Sequence, residues 1–190
     1  MDYNSFKEAV IAAAKAAGLT EYELYYESAE STEVGVFQHE INEFSSSVSG
    51  GVCFRCVKNG KMGYASTEAM EPAQAASLVE RAMENAATLE AEEPVFLCEG
   101  GKTYEKLEVK AYDLPSTEEM VKTALKAQEK LYAADSKVVD GCSTSVLREK
   151  YGRAIYNSKG LDLSYENSMA GLVSAALLYY GKEIENDYKI

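Results

Sequence analysis

The spacing of apolar residues changes period several times along this chain of 190 residues, and each change marks an element. Phe6, Ala9, Val10, Ala13 and Ala17 follow i, i+3, i+4, i+7 spacing with Lys7, Glu8 and Lys15 turned outward, which predicts a helix over residues 4–17. Asn4 or Ser5 can cap its start, and Gly18 suits the left-handed position after the last turn. From Tyr22 the period becomes two. Tyr22, Leu24 and Tyr26 alternate with Glu23, Tyr25 and Glu27, the pattern of a half-buried strand. Thr32–Phe37 predicts a second strand and Ile41–Val48 a third, softened by Ser45-Ser46-Ser47. Val52–Val57 is apolar on both sides of the alternation except at Arg55, which predicts a central strand covered on both faces. Asn59-Gly60 supplies the two positive φ angles of a type I′ turn and closes a hairpin running to Thr67.

Two helices follow. Met70–Leu89 carries Pro72 in its tolerant first turn and a buried stripe of Ala75, Leu78, Val79, Ala82, Ala86 and Leu89. Residues 90–115 show no clear period. Ser116 and Glu119 form a capping box ahead of Met120, Val121, Ala124, Leu125, Gln128, Leu131 and Tyr132, predicting a helix from Ser116 to Ala134. The last third returns to strands at Val138–Leu147, Tyr151–Asn157, Leu161–Tyr165 and Gly171–Tyr180, with turns at Glu149-Lys150 and Ser158-Lys159-Gly160. This order predicts one α+β domain over residues 1–190, a largely antiparallel sheet with helices packed on one face in two layers. The run to Asn186–Ile190 shows no closing cap or sealing helix, so the chain reads as the N-terminal domain of a larger fold. Leu172–Tyr180, apolar on both sides of its alternation, then predicts self-association through an uncovered strand.

Charge narrows the partners. Nineteen basic against thirty-one acidic side chains leave −12, with no basic patch in the sequence, which argues against direct contact with nucleic acid or anionic lipid. Met1-Asp2-Tyr3-Asn4-Ser5 lacks a basic n-region, and Met169–Tyr180, the longest apolar run, is too short to span a bilayer. Four cysteines in a chain this long do not read as a disulfide scaffold, so a reduced, cytoplasmic protein is expected.

Candidate chemistry is sparse. His39 is the lone histidine, whereas a zincin motif needs two, one helical turn apart. Cys53-Phe54-Arg55-Cys56 spells CxxC, but strand residues three apart point to opposite faces, so the pair reads as packing cysteines. Cys98 and Cys142 add no paired ligand spacing, and no bound zinc is expected. Arg55 has two readings: an ion-pairing residue whose stem runs out to solvent, or the polar handle of a groove. Composition and spacing assign no catalytic residue.

The hairpin carries more. Gly51-Val52-Cys53-Phe54-Arg55-Cys56-Val57-Lys58-Asn59-Gly60-Lys61-Met62-Gly63-Tyr64-Ala65-Ser66-Thr67 resembles the G-V-x-x-R-V-x-x-x-G-x-x-G-Y-A-S-T-like hairpin in the N-terminal domain of the TldD/PmbA (TldD/TldE) family. Tyr25-Tyr26-Glu27 after the first helix, and Tyr156-Asn157-Ser158-Lys159-Gly160-Leu161 with the look of the family's N-S-x-G turn, extend the likeness over most of the chain. The family, also labelled modulators of DNA gyrase, implies a metallopeptidase system acting on unfolded or modified peptides. Its TldD-type subunits bind zinc through an H-E-x-x-x-H helix in a later part of the chain, and its PmbA-type subunits lack that motif and act as partners. No H-E-x-x-x-H occurs here, so the chain reads either as an N-terminal fragment of a family member or as a shortened, PmbA-like partner, the resemblance being closest to a PmbA-like subunit and implying no cofactor in this chain. It implies a non-catalytic domain that helps form the peptide-binding cleft and the subunit assembly, as a homo-oligomer or beside a TldD-like partner. Arg55, Tyr64, Ser66 and Thr67 are the candidate peptide-binding residues, with no catalytic or metal residue assigned. The alternative is a protein-interaction module with no role in proteolysis.

Overall fold

Backbone pairing joins the predicted extended pieces into fewer and longer strands than local pattern suggests. The computed structural model describes residues 3–90, 95–105, 113–139, 141–181 and 184–189. Among these run α1 (Tyr3–Ala16), β1 (Tyr22–Phe37), β2 (Glu40–Lys58), β3 (Lys61–Thr67), α2 (Pro72–Thr88), α3 (Thr117–Ala134), β4 (Ser143–Asn157), β5 (Asp162–Tyr179) and β6 (Ile184–Lys189). The fold is α+β, with an antiparallel sheet in the order β3-β2-β1-β4-β5-β6. Much of the predicted connection 90–115, namely residues 91–94 and 106–112, lies outside the described residues.

Four predicted breaks are absent. The gaps between Glu27 and Thr32, between Val48 and Val52 and between Tyr165 and Gly171, and the turn at Glu149-Lys150, all lie inside continuous strands, β1, β2, β5 and β4 in turn. Polar side chains there point to water while the backbone keeps its ladder, so local composition mimics a turn that pairing overrides. The tail predicted to lack a closing element contains β6, which pairs antiparallel with β5 from Ser174↔Lys189 to Tyr179↔Ile184. β5 therefore has β4 along one edge and β6 along the other and is not an edge strand, while its faces carry exposed apolar residues such as Val173 and Tyr179. Val138 makes only an isolated bridge to Leu178, and β4 begins at Ser143.

By its contacts the chain divides into two compact units: Met1–Ser28, Ser49–Glu108 and Gly152–Glu166 form one; Ala29–Val48, Val109–Tyr151 and Asn167–Ile190 form the other. β1, β2, β4 and β5 each continue from one into the other. In the first unit Phe6, Val10 and Ala14 of α1 and Leu78, Val79 and Ala82 of α2 pack on Leu24, Val52, Phe54 and Cys56 of the sheet. Complete burial of a side chain such as Phe54 contributes about 1.5–3 kcal/mol. Gly63 lets α2 lie close on β3, for a Cβ there would fall 2.0 Å from the Ala82 carbonyl oxygen. In the second unit Met120 and Ala124 of α3 pack on Val34, Val36 and Val146. The Ser116–Glu119 capping box starts α3 as its sequence predicts, and Asn59 (φ 52°) and Gly60 (φ 75°) form the predicted turn.

Candidate functional site

Alternation along β2 sorts its residues between two faces. Val52, Phe54 and Cys56 are buried beneath α1 and α2, while Cys53, Arg55 and Val57 are only half-buried on the opposite face. The expectation of cover on both faces thus fails at this strand, although β2 is interior to the sheet as expected. Cys53 and Cys56 sit on opposite faces, as strand geometry requires. Their thiols are both pushed up by burial.

The half-buried face holds the polar constellation. Arg55 Nη2 pairs with Glu23 Oε1 of β1, and the two partners differ sharply in setting, the Glu23 side chain being 3% exposed and the Arg55 side chain 41%. Asn157, at the end of β4, donates from Nδ2 to Glu23 Oε2 at 3.1 Å and to the Cys98 carbonyl at 2.9 Å. Its Oδ1 accepts from the Lys159 and Leu161 amides at 3.0 and 3.1 Å, so the buried amide is saturated and builds the Ser158-Lys159-Gly160 turn as it holds Glu23. Glu23, Tyr25, Cys53, Arg55 and Ile155 line an open pocket of about 320 Å³. Arg55 is thus an ion-pairing residue that also lines this pocket.

The register brings Tyr64 directly opposite Arg55 and Ser66 opposite Cys53, on this same face. Tyr64 is exposed, and its carbonyl accepts from Asn85 Nδ2 at 2.9 Å. Thr67 pairs with Val52 and so belongs to the other side; its Oγ1 accepts from the Ala69 amide at 3.1 Å, a local turn contact. Glu23, Tyr25 and Ile155 were missed by motif reading. The signal available for Glu23 was the alternation at Tyr22–Glu27, which places it and Tyr25 together on the polar side of a strand.

With this geometry in place, the comparison with known proteins is decisive for family. Residues 22–86 match the PmbA/TldA metallopeptidase domain 1, and residues 111–189 match the PmbA/TldA metallopeptidase central domain. The chain belongs to the PmbA/TldD family. No curated protein matches it. Among solved structures, a Thermotoga maritima protein named as a suspected modulator of a DNA gyrase superposes with a TM-score of 0.84 at 22% identity, covering 98% of this chain and 42% of its own. TldE from Thermococcus kodakarensis gives 0.79 at 20% identity, over 96% and 41%. A Bacteroides thetaiotaomicron protein named in the same way as the first gives 0.85 at 14% identity, over 97% and 43%. These likenesses show the fold, and the chain spans about two fifths of each of those proteins.

The family's metallopeptidase label calls for a set of metal-donor side chains. Among the described residues no group of three or more His, Cys, Asp or Glu side chains is placed to hold one. His39 sits in the β1–β2 turn with its ring 4.3 Å from that of Tyr132 and its amide donating to Gln128 Oε1 at 2.7 Å, a structural role. The described residues do not fit a metal. No described helix is long and apolar enough to cross a membrane.

Proposed function

We propose that this chain is a non-catalytic, peptide-holding part of a TldD/PmbA-type metallopeptidase system acting on unfolded or modified peptides. The observation that carries this reading is the anchored Arg55 over its pocket, on a sheet face with Tyr25 and Tyr64 beside it and no described helix across it. A guanidinium fixed by a buried carboxylate is pre-organised, so a peptide meeting it loses little ordering entropy to the protein side. Catalysis falls outside these residues, which hold one histidine and no H-E-x-x-x-H. The protein works in the cytoplasm, with no nucleic-acid or membrane contact of its own.

Fluorescence anisotropy with labelled unfolded peptides tests the proposal, alongside a hydrolysis assay of the chain alone. Binding without cleavage is expected, weakened about fivefold or more by Arg55→Ala, the loss of one charge-assisted contact. Binding equal in wild type and Arg55→Ala would remove Arg55 from the site.

A second reading, a protein-interaction module, has its own support. Residues 40–49 of β2 are exposed throughout, and Phe44 and Val48, on one face of the strand by alternation, are 58% and 82% exposed. Apolar side chains so grouped mark contact surfaces on proteins. Alternate charge substitutions at Phe44 and Val48 that abolish association with a TldD-like subunit, with peptide binding intact, would favour this reading over the first.

A further inference from the structure

The pocket beside Arg55 has a size and a charge state that together select its occupant. At about 320 Å³ it lies at the small end of ligand sites, with room for a side chain rather than a nucleotide-sized cofactor. Ile155, the Cys53 side chain and the ring of Tyr25 give it apolar walls. Its two charged groups are already matched to each other. Glu23 has one oxygen on Arg55 and the other on Asn157, and the pair is neutral at contact distance. An acidic group entering would face the Glu23 carboxylate behind Arg55, and a basic group would face the Arg55 guanidinium. Neither sign gains, whereas an apolar group gains by leaving water.

We infer that this pocket is a side-chain subsite for an uncharged, apolar residue of an extended peptide, with the Glu23–Arg55 pair as its closed polar wall. The inference rests on the peptide-holding reading above and names the class of residue recognised. Arg55 Nη1, which lies 4.0 Å from Met62 Sδ, is the donor available to a carbonyl of the peptide backbone next to the seated residue.

Cys53 provides a readout inside the pocket. Cys56 and Cys142 are buried and Cys98 is exposed, so in a Cys98→Ser background alkylation at pH about 9 reports on Cys53. Short Gly-Ser peptides carrying one central Leu, Phe, Asp or Lys serve as probes, with binding followed in parallel by anisotropy. The Leu and Phe peptides should slow Cys53 alkylation about fivefold or more at saturation, and the Asp and Lys peptides less than about twofold. Ile155→Ala, which opens the apolar wall without touching Arg55, should reduce the protection by Leu. Protection by Asp equal to that by Leu would overturn the neutral subsite and leave the peptide-holding role standing. Anisotropy binding without any protection of Cys53 would likewise overturn the subsite alone. No binding of any peptide would remove the peptide-holding role and the subsite with it.

Discussion

The Asn157 side chain donates to Glu23 Oε2 at 3.1 Å across 134 residues of sequence, and through Glu23 it steadies Arg55. Asn157→Ala would leave a buried carboxylate oxygen and two turn amides without their partner. Unfolding in urea should show a loss of about 1–3 kcal/mol. Asn157→Asp should be worse than Ala, since it sets a second carboxylate against a buried first one. An Asp variant as stable as wild type would mean that Glu23 is not held as described.

Arg55 and Glu23 differ in exposure, so their removal should be unequal. Glu23→Gln returns a half-exposed guanidinium to water, while Arg55→Met strips a buried carboxylate of its counter-charge. Arg55→Met should be the more destabilising by about 1–2 kcal/mol, a range reduced because Arg55 is partly screened by solvent. The double variant Glu23→Met with Arg55→Met should recover part of that loss. Chemical denaturation of the three variants measures it.

Gln128 is a second buried amide, in α3. Its Nε2 donates to the Val36 and Cys142 carbonyls, both at 3.0 Å, and its Oε1 accepts from the His39 amide at 2.7 Å. That last bond closes a turn in which Gln38 (φ 49°) and His39 (φ 67°) are both left-handed without being glycine. Gln128→Leu should lower stability by about 1–3 kcal/mol. Gln128→Glu should be worse, because it turns a carboxylate oxygen on two carbonyls. Hydrogen exchange should quicken first at the His39 amide; an unchanged rate there would count against the contact.

Two glycines of the hairpin should respond to alanine for different reasons. At Gly60 the left-handed φ is strained for alanine but open space surrounds the position, for a loss of about 1 kcal/mol. At Gly63 the new methyl meets the backbone of α2, 2.0 Å from the Ala82 oxygen and 2.3 Å from the Ala86 nitrogen, and the helix must move. A loss of about 1–3 kcal/mol or more is expected, with a larger fall in melting temperature than for Gly60→Ala. The reverse order would show that α2 and β3 are not so tightly apposed.

Alkaline pH should unfold the protein partly through Tyr3. Burial, then the charges of Asp162 and Tyr26, push its phenol up from 10.0 to about 12. The folded state therefore keeps a proton that the unfolded state releases, so this contribution is complete below pH 10 and is lost as pH rises towards about 12. The hydroxyl is buried without a hydrogen-bond partner among the described residues. Tyr3→Phe should leave neutral-pH stability almost unchanged and move the alkaline midpoint upward, followed by circular dichroism. A downward move would reverse the sign of the argument.

The family, the α+β class and the elements with strong local signals were legible from residues alone. The Ser116–Glu119 box, the Asn59-Gly60 turn and the helical stripes are short-range effects, in which a backbone group is satisfied by a neighbour a few positions away. The Arg55 end of the site was legible for the same reason, through an apolar strand interrupted by one charge. Strand length was not, because Glu149-Lys150 and the join after Val48 read as breaks until a neighbouring strand supplies their backbone partners. Nor were the companions of Arg55. Glu23 looks like an ordinary outward acid of an alternating strand, and only the sheet order β2-β1-β4 brings it between Arg55 and Asn157. A buried carboxylate is tolerable where a guanidinium and an amide meet it, and that meeting is decided by strand order and register across distant segments, which no local pattern encodes.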